Sequence, residues 1–74
     1  DYGFITTNAS GVGTFTYNLT YTSTPLVFIT ISSGSNFQKT GHVQSRTTTS
    51  AGIKTFDETG TAAGFNVMVL VIGV

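Results

Sequence analysis

Residues 65–74 read FNVMVLVIGV, and from Val67 to Ile72 six apolar residues follow one another without a polar position between them. A membrane-spanning helix needs about 20 apolar residues, roughly twice what this stretch supplies. Its valines, and Gly73 near the end, favour an extended conformation instead. A strand that is apolar on both faces must be covered on both, which makes it a central strand packed above and below.

The rest of the chain is also read as strands. Gly13–Tyr21, GTFTYNLTY, alternates Phe15, Tyr17, Leu19 and Tyr21 with Thr14, Thr16, Asn18 and Thr20, the pattern of a strand with one buried and one wet face. Tyr17 and Tyr21 therefore belong to the core or to a subunit interface. The link TSTP ends that strand, because Pro25 has no N–H to give to a ladder. LVFITIS, Leu26–Ser32, is apolar on nearly both faces and reads as a second central strand. SSGSN supplies turn chemistry through Gly34 and Asn36. A strand from His42 to about Thr48 has little apolar content, which places it at a solvated or edge position. SAG marks a turn before IKTF, a short or bulged strand. DETGTAAG is a loop around Gly60. No stretch carries apolar spacing suited to a helix. The fold class is all-β, a small antiparallel β-sandwich of five or six strands over residues 13–74, with residues 1–12 as a linker or a short strand from Tyr2 to Thr7.

A domain of 74 residues buries only about 60% of the surface its unfolded chain exposes. Small domains usually gain stability from disulfides, a metal or self-association. Cysteine is absent and His42 is the single histidine, which leaves self-association. Lys39, Arg46 and Lys54 balance Asp1, Asp57 and Glu58, so no charge excess points to nucleic acid or to an anionic membrane. The first residues have neither a basic region nor an apolar core of the kind a signal peptide carries. A start at Asp1 rather than Met suggests a segment of a longer chain.

Little in the chain suits catalysis. His42 is distant in sequence from Asp57 and Glu58, and no nucleophile arrangement is recognisable, so a non-enzymatic protein is expected, without cofactor. A metal on His42 would need ligands from other copies. Sugar recognition combines an aromatic platform with planar hydrogen-bonding groups. The available pieces are Arg46, His42, Gln44, Phe37, Lys39 and Asp57, with Tyr2 and Lys54 as further candidates. Arg46 is the foremost of these, either as a bidentate ligand reader or as a partner for Asp57 or Glu58.

The order of segments carries a resemblance. An amphipathic strand, a link with proline and an apolar strand (STPLVFITIS), a threonine-rich segment leading to TTTSAGI, and a closing apolar strand that ends on Ile72-Gly73 resemble the H-type lectin-like domains at the C-terminal tips of bacteriophage tail fibres and tailspikes. The resemblance covers roughly Gly13 to Val74. It departs where Val69 stands in place of the aromatic residue, usually tryptophan, that opens the family's closing pattern. It implies a homotrimer with subunits side by side about a threefold axis, so that a second sheet covers one face of the closing strand and a neighbouring subunit the other. On that arrangement Val69 and Val71 are assigned to the interface, and Met68 and Leu70 to the subunit's own core. The function implied is recognition of host cell-surface glycan at the virion's fibre tip, in partnership with the upstream fibre portion of the same parent chain. The alternative is a C-terminal trimerisation and folding module. A capsid decoration domain is a third reading.

Overall fold

The computed structural model describes residues 1–32 and 39–74, which form six strands and no helix. They are β1 (Tyr2–Thr6), β2 (Val12–Thr16), β3 (Leu26–Ser32), β4 (Thr40–Arg46), β5 (Ser50–Phe56) and β6 (Asn66–Ile72). Every pairing is antiparallel. Sheet A has the order β1-β6-β3 and sheet B the order β2-β5-β4. The expected antiparallel sandwich is present as two three-stranded layers. Most of the SSGSN turn and Phe37 lie outside the described residues.

Alternation along the two central strands builds the core. Val67, Val69 and Val71 of β6 point one way, and Ala51, Ile53 and Thr55 of β5 point back at them; all six are buried. Phe15, Tyr17 and Tyr21 fill one end, and Ile5, Val27, Ile29, Ile31 and Val43 pack around the edge. Burial of each large apolar side chain contributes about 1.5–3 kcal/mol.

The closing strand is central, but only one of its faces is covered within the chain. Val69 and Val71 are the core residues, while Met68, Leu70 and Ile72 are exposed, which reverses the assignment made from the sequence. β3 is not a second central strand: it is an edge, with Leu26 and Phe28 exposed on its outer face. β4 is an edge strand, as its polarity suggests, and runs from Thr40 to Arg46 rather than from His42 to Thr48. Ser50, Ala51 and Gly52 do not form a turn but begin β5. The turn falls one step earlier, where Thr47 Oγ1 accepts the backbone N–H groups of Thr49 and Ser50.

The amphipathic strand is also shorter than its alternation suggests. β2 stops at Thr16, and Leu19 is 61% exposed instead of sharing the core with Tyr17 and Tyr21. The Asp1 carboxylate is the cause, because it accepts hydrogen bonds from the backbone N–H of Asn18 (2.8 Å) and Leu19 (3.3 Å) and from the Asn18 amide (2.9 Å). The chain turns around that carboxylate on its way from sheet B to sheet A.

Two glycines fix the chain where it changes sheet or ends. Gly11 has φ of 75°, and a Cβ there would strike the carbonyl of Thr55. A Cβ on Gly73 would lie 2.6 Å from Pro25 Cβ and 3.0 Å from the Tyr21 ring, so the Ile-Gly ending permits the last residues to close over Pro25.

Candidate functional site

The outer face of sheet B gathers part of the expected ligand-binding set. In the β4–β5 register His42 stands opposite Lys54, and Thr40 opposite Phe56. The diagonal neighbours His42 and Phe56 stack with ring centroids 5.9 Å apart and planes 18° from parallel. Lys54 Nζ lies 6.0 Å from the Phe56 ring centroid, within cation–π range. An imidazole, a phenyl ring and an ammonium thus form one patch, with the hydroxyls of Thr40 and Thr14 beside it on the same face.

Beyond the end of β5 the charges are differently engaged. Lys39 Nζ bonds Glu58 Oε2 at 3.3 Å and sits 5.1 Å from the Phe65 ring centroid. Asp57 belongs to its own turn: its Oδ1 accepts from Thr59 Oγ1 (2.6 Å), Thr59 N (2.9 Å) and Thr61 N (3.1 Å). Those bonds, the Thr59 hydroxyl first, hold its carboxyl below the ordinary carboxylate value. The neighbouring Gly60 takes φ of 83°.

Arg46 does not join the patch and pairs with neither acid. Strict alternation would set it on the same side as His42 and Gln44, but β4 carries a bulge between Val43 and Ser45, with Gln44 as the extra residue. The one-residue shift brings Arg46 opposite buried Ala51, and its guanidinium Nη1 donates to the Pro25 carbonyl at 3.1 Å. Arg46 therefore ties the β4 edge of sheet B to the start of β3 in sheet A. Gln44 remains exposed on the bulge. Tyr2 lies on the far side of the molecule, on the outer face of sheet A. Phe37 lies outside the described residues.

Two aromatic rings of this region, Phe56 and Phe65, are not among the candidates that the sequence suggests. Phe56 is legible in principle, since Lys54 and Phe56 are two apart on a strand and must share a face. Phe65 carries no such pattern. Elsewhere, an open depression of about 530 Å3 at one end of sheet A is lined by Phe4, Ile5, Thr6, Ser32 and Asn66, and it holds no titratable group. Among the described residues no three His, Cys, Asp or Glu side chains group as metal ligands.

No family model matches the chain, and no curated protein or solved structure shows significant similarity to it. The described residues define a six-stranded antiparallel β-sandwich whose sheet A carries a largely apolar outer face.

Proposed function

We propose that the chain is a non-enzymatic recognition domain at the distal end of a bacteriophage tail fibre or tailspike, working as a homotrimer on host cell-surface glycan. The observation that carries this reading is the patch on the outer face of sheet B in which exposed His42 stacks on half-buried Phe56, with half-buried Lys54 beside the same ring. A pyranose ring can lie against an aromatic face while its hydroxyls bond to an ammonium, an imidazole or a threonine. Each patch is small, so affinity comes from several copies engaging one cell surface together. Glycan-array binding combined with competition for phage adsorption tests the reading. Saturable binding to a defined glycan, with blocked adsorption, is the expected result; folded protein that binds neither glycans nor cells overturns it.

A second reading, a trimerisation and folding module for the upstream fibre, is favoured by the apolar outer face of sheet A. Deleting the domain from its parent chain separates the two. Loss of trimers assigns assembly, whereas intact trimers that no longer bind assign recognition.

A further inference from the structure

The outer face of sheet A presents three cross-strand rows rich in apolar side chains: Tyr2–Leu70–Phe28, Ile72–Leu26, and Phe4–Met68, which Thr30 completes on β3; the apolar members are the seven other than Thr30. Each of these seven side chains is 43–71% exposed. We infer that this face is the surface through which copies of the chain associate, the sheet A of each of three copies turned towards a common axis with Leu70 near its centre. The inference rests on the reading that the chain works as an oligomer, and names the surface that oligomer uses.

The area fits that occupant. The exposures correspond to an apolar patch on the order of 700 Å2. That exceeds the about 300–600 Å2 of the largest patch on a typical monomer. It approaches the about 800 Å2 that each partner contributes to a standard-size interface. A flat sheet face also suits another sheet face better than it suits a small ligand, which binds in a concave site.

The chemistry selects the partner further. The two flanking strands and β6 place no charged residue on this face; Lys39, Arg46, Lys54, Asp57 and Glu58 belong to sheet B or its loops, and Asp1, directly before β1, gives its carboxylate to the backbone N–H groups of Asn18 and Leu19. A surface without cations has nothing to offer the headgroups of an anionic membrane. It equally lacks the charges that would select a charged protein partner. An identical uncharged face is its complement, because neither copy leaves a charge desolvated on the other. A polar end completes the surface: Thr6 Oγ1 donates to Asn66 Oδ1 at 2.8 Å, and Ser32 stands opposite Asn66, the form of a hydrated rim beside an apolar centre. The association also supplies what a chain without cysteine otherwise lacks, a second layer over β6.

Sedimentation equilibrium of the 74-residue chain at several concentrations, with far-ultraviolet circular dichroism, tests the inference. The wild type is expected to associate. Leu70→Asp is expected to weaken association at least 100-fold with the strand spectrum retained, while Lys54→Glu on sheet B leaves association unchanged. Tyr2→Lys, on an edge strand and largely exposed, gives the same readout should Leu70→Asp fail to fold. A wild type that is monomeric and folded at high concentration overturns both this inference and the oligomer reading. Oligomers that tolerate Leu70→Asp and Tyr2→Lys overturn the assignment of the face alone.

Discussion

The hydroxyls of Thr7 and Thr55 meet 2.7 Å apart inside the sandwich, one contributed from the end of β1 in sheet A and the other from β5 in sheet B. Both residues are buried, and one direction of donation satisfies the whole chain of groups. Phe65 N–H donates to Thr7 Oγ1 at 2.8 Å, Thr7 donates to Thr55 Oγ1, and Thr55 donates to the Ala63 carbonyl at 2.6 Å. Two threonines thereby hold the segment that leads into β6 against both sheets. A buried polar pair is tolerated in the core because each hydroxyl both donates and accepts.

Thr55→Val keeps the volume but removes the donor to the Ala63 carbonyl and the acceptor for Thr7, whose hydroxyl keeps only the longer bond to the Phe65 carbonyl at 3.2 Å. The expected loss is about 1–3 kcal/mol. Urea unfolding at a fixed protein concentration measures it, the concentration being fixed because association would itself shift the midpoint. An unchanged midpoint would show that the hydroxyl chain contributes nothing.

Tyr17 gives the opposite expectation. Its hydroxyl is buried and has no hydrogen-bond partner among the described residues, and burial raises its pKa, with nearby Arg46 acting in the other direction. Removing an unpaired buried hydroxyl relieves a desolvation cost, so Tyr17→Phe should stabilise by about 1 kcal/mol. The pH dependence has a definite sign. Because the folded pKa lies above the unfolded one, the unfolded state loses its proton first and wild-type stability falls as pH rises past the ordinary tyrosine value. The Tyr17→Phe variant should lack that contribution. Thermal melts at neutral and alkaline pH check both points; a less stable variant at neutral pH would refute the first.

Asp57 governs the acid side. Its folded pKa is depressed by bonds from the Thr59 hydroxyl and from the Thr59 and Thr61 backbone. That contribution is fully present above the unfolded carboxylate value and is lost as pH falls through the folded one. Asp57→Asn should flatten this part of the acid limb: the two proteins should differ most at neutral pH and converge as the carboxylate of the wild type takes up its proton. A pH series of melting temperatures reads the difference directly, and parallel curves for the two proteins would remove Asp57 from the account.

How much of this is legible in the sequence depends on what a one-residue shift does to a strand. The six apolar residues Val67–Ile72 establish a central strand, yet they cannot say which alternate set faces inward, since both sets are hydrophobic. Packing decides it: the valines lie against Ile53 and Ala51, leaving the longer Met68 and Leu70 outside. The Gln44 bulge is invisible for a related reason. Gln44, Ser45 and Arg46 are all polar, so no break in hydrophobic alternation announces it, although it alone carries Arg46 from the outer face to the core side. Leu19 departs from its alternation because the competing signal, the Asp1 carboxylate, lies 18 residues away in sequence. The two-layer architecture is robust to these local shifts, since turn signals around Pro25 and Gly60 and the strand propensities determine it jointly.

The last prediction separates Arg46 from the patch that the recognition reading uses. Phe56→Ala removes the ring on which His42 and Lys54 converge, and stacking contacts of this kind are worth about 0.5–1.5 kcal/mol beyond the area they bury. Glycan binding by the Phe56→Ala and Lys54→Ala variants should therefore fall by about tenfold per site, and more on a multivalent surface where the loss is repeated in each copy. Arg46→Ala should behave differently. Its bond to the Pro25 carbonyl joins the two sheets at their edge, so the substitution should lower stability by about 1 kcal/mol and leave monovalent affinity intact. Isothermal titration with the array-selected glycan, paired with melting temperatures for each variant, measures both quantities. Binding that collapses in Arg46→Ala while surviving in Phe56→Ala and Lys54→Ala would move the ligand to the Pro25 edge and end the case for the outer face of sheet B.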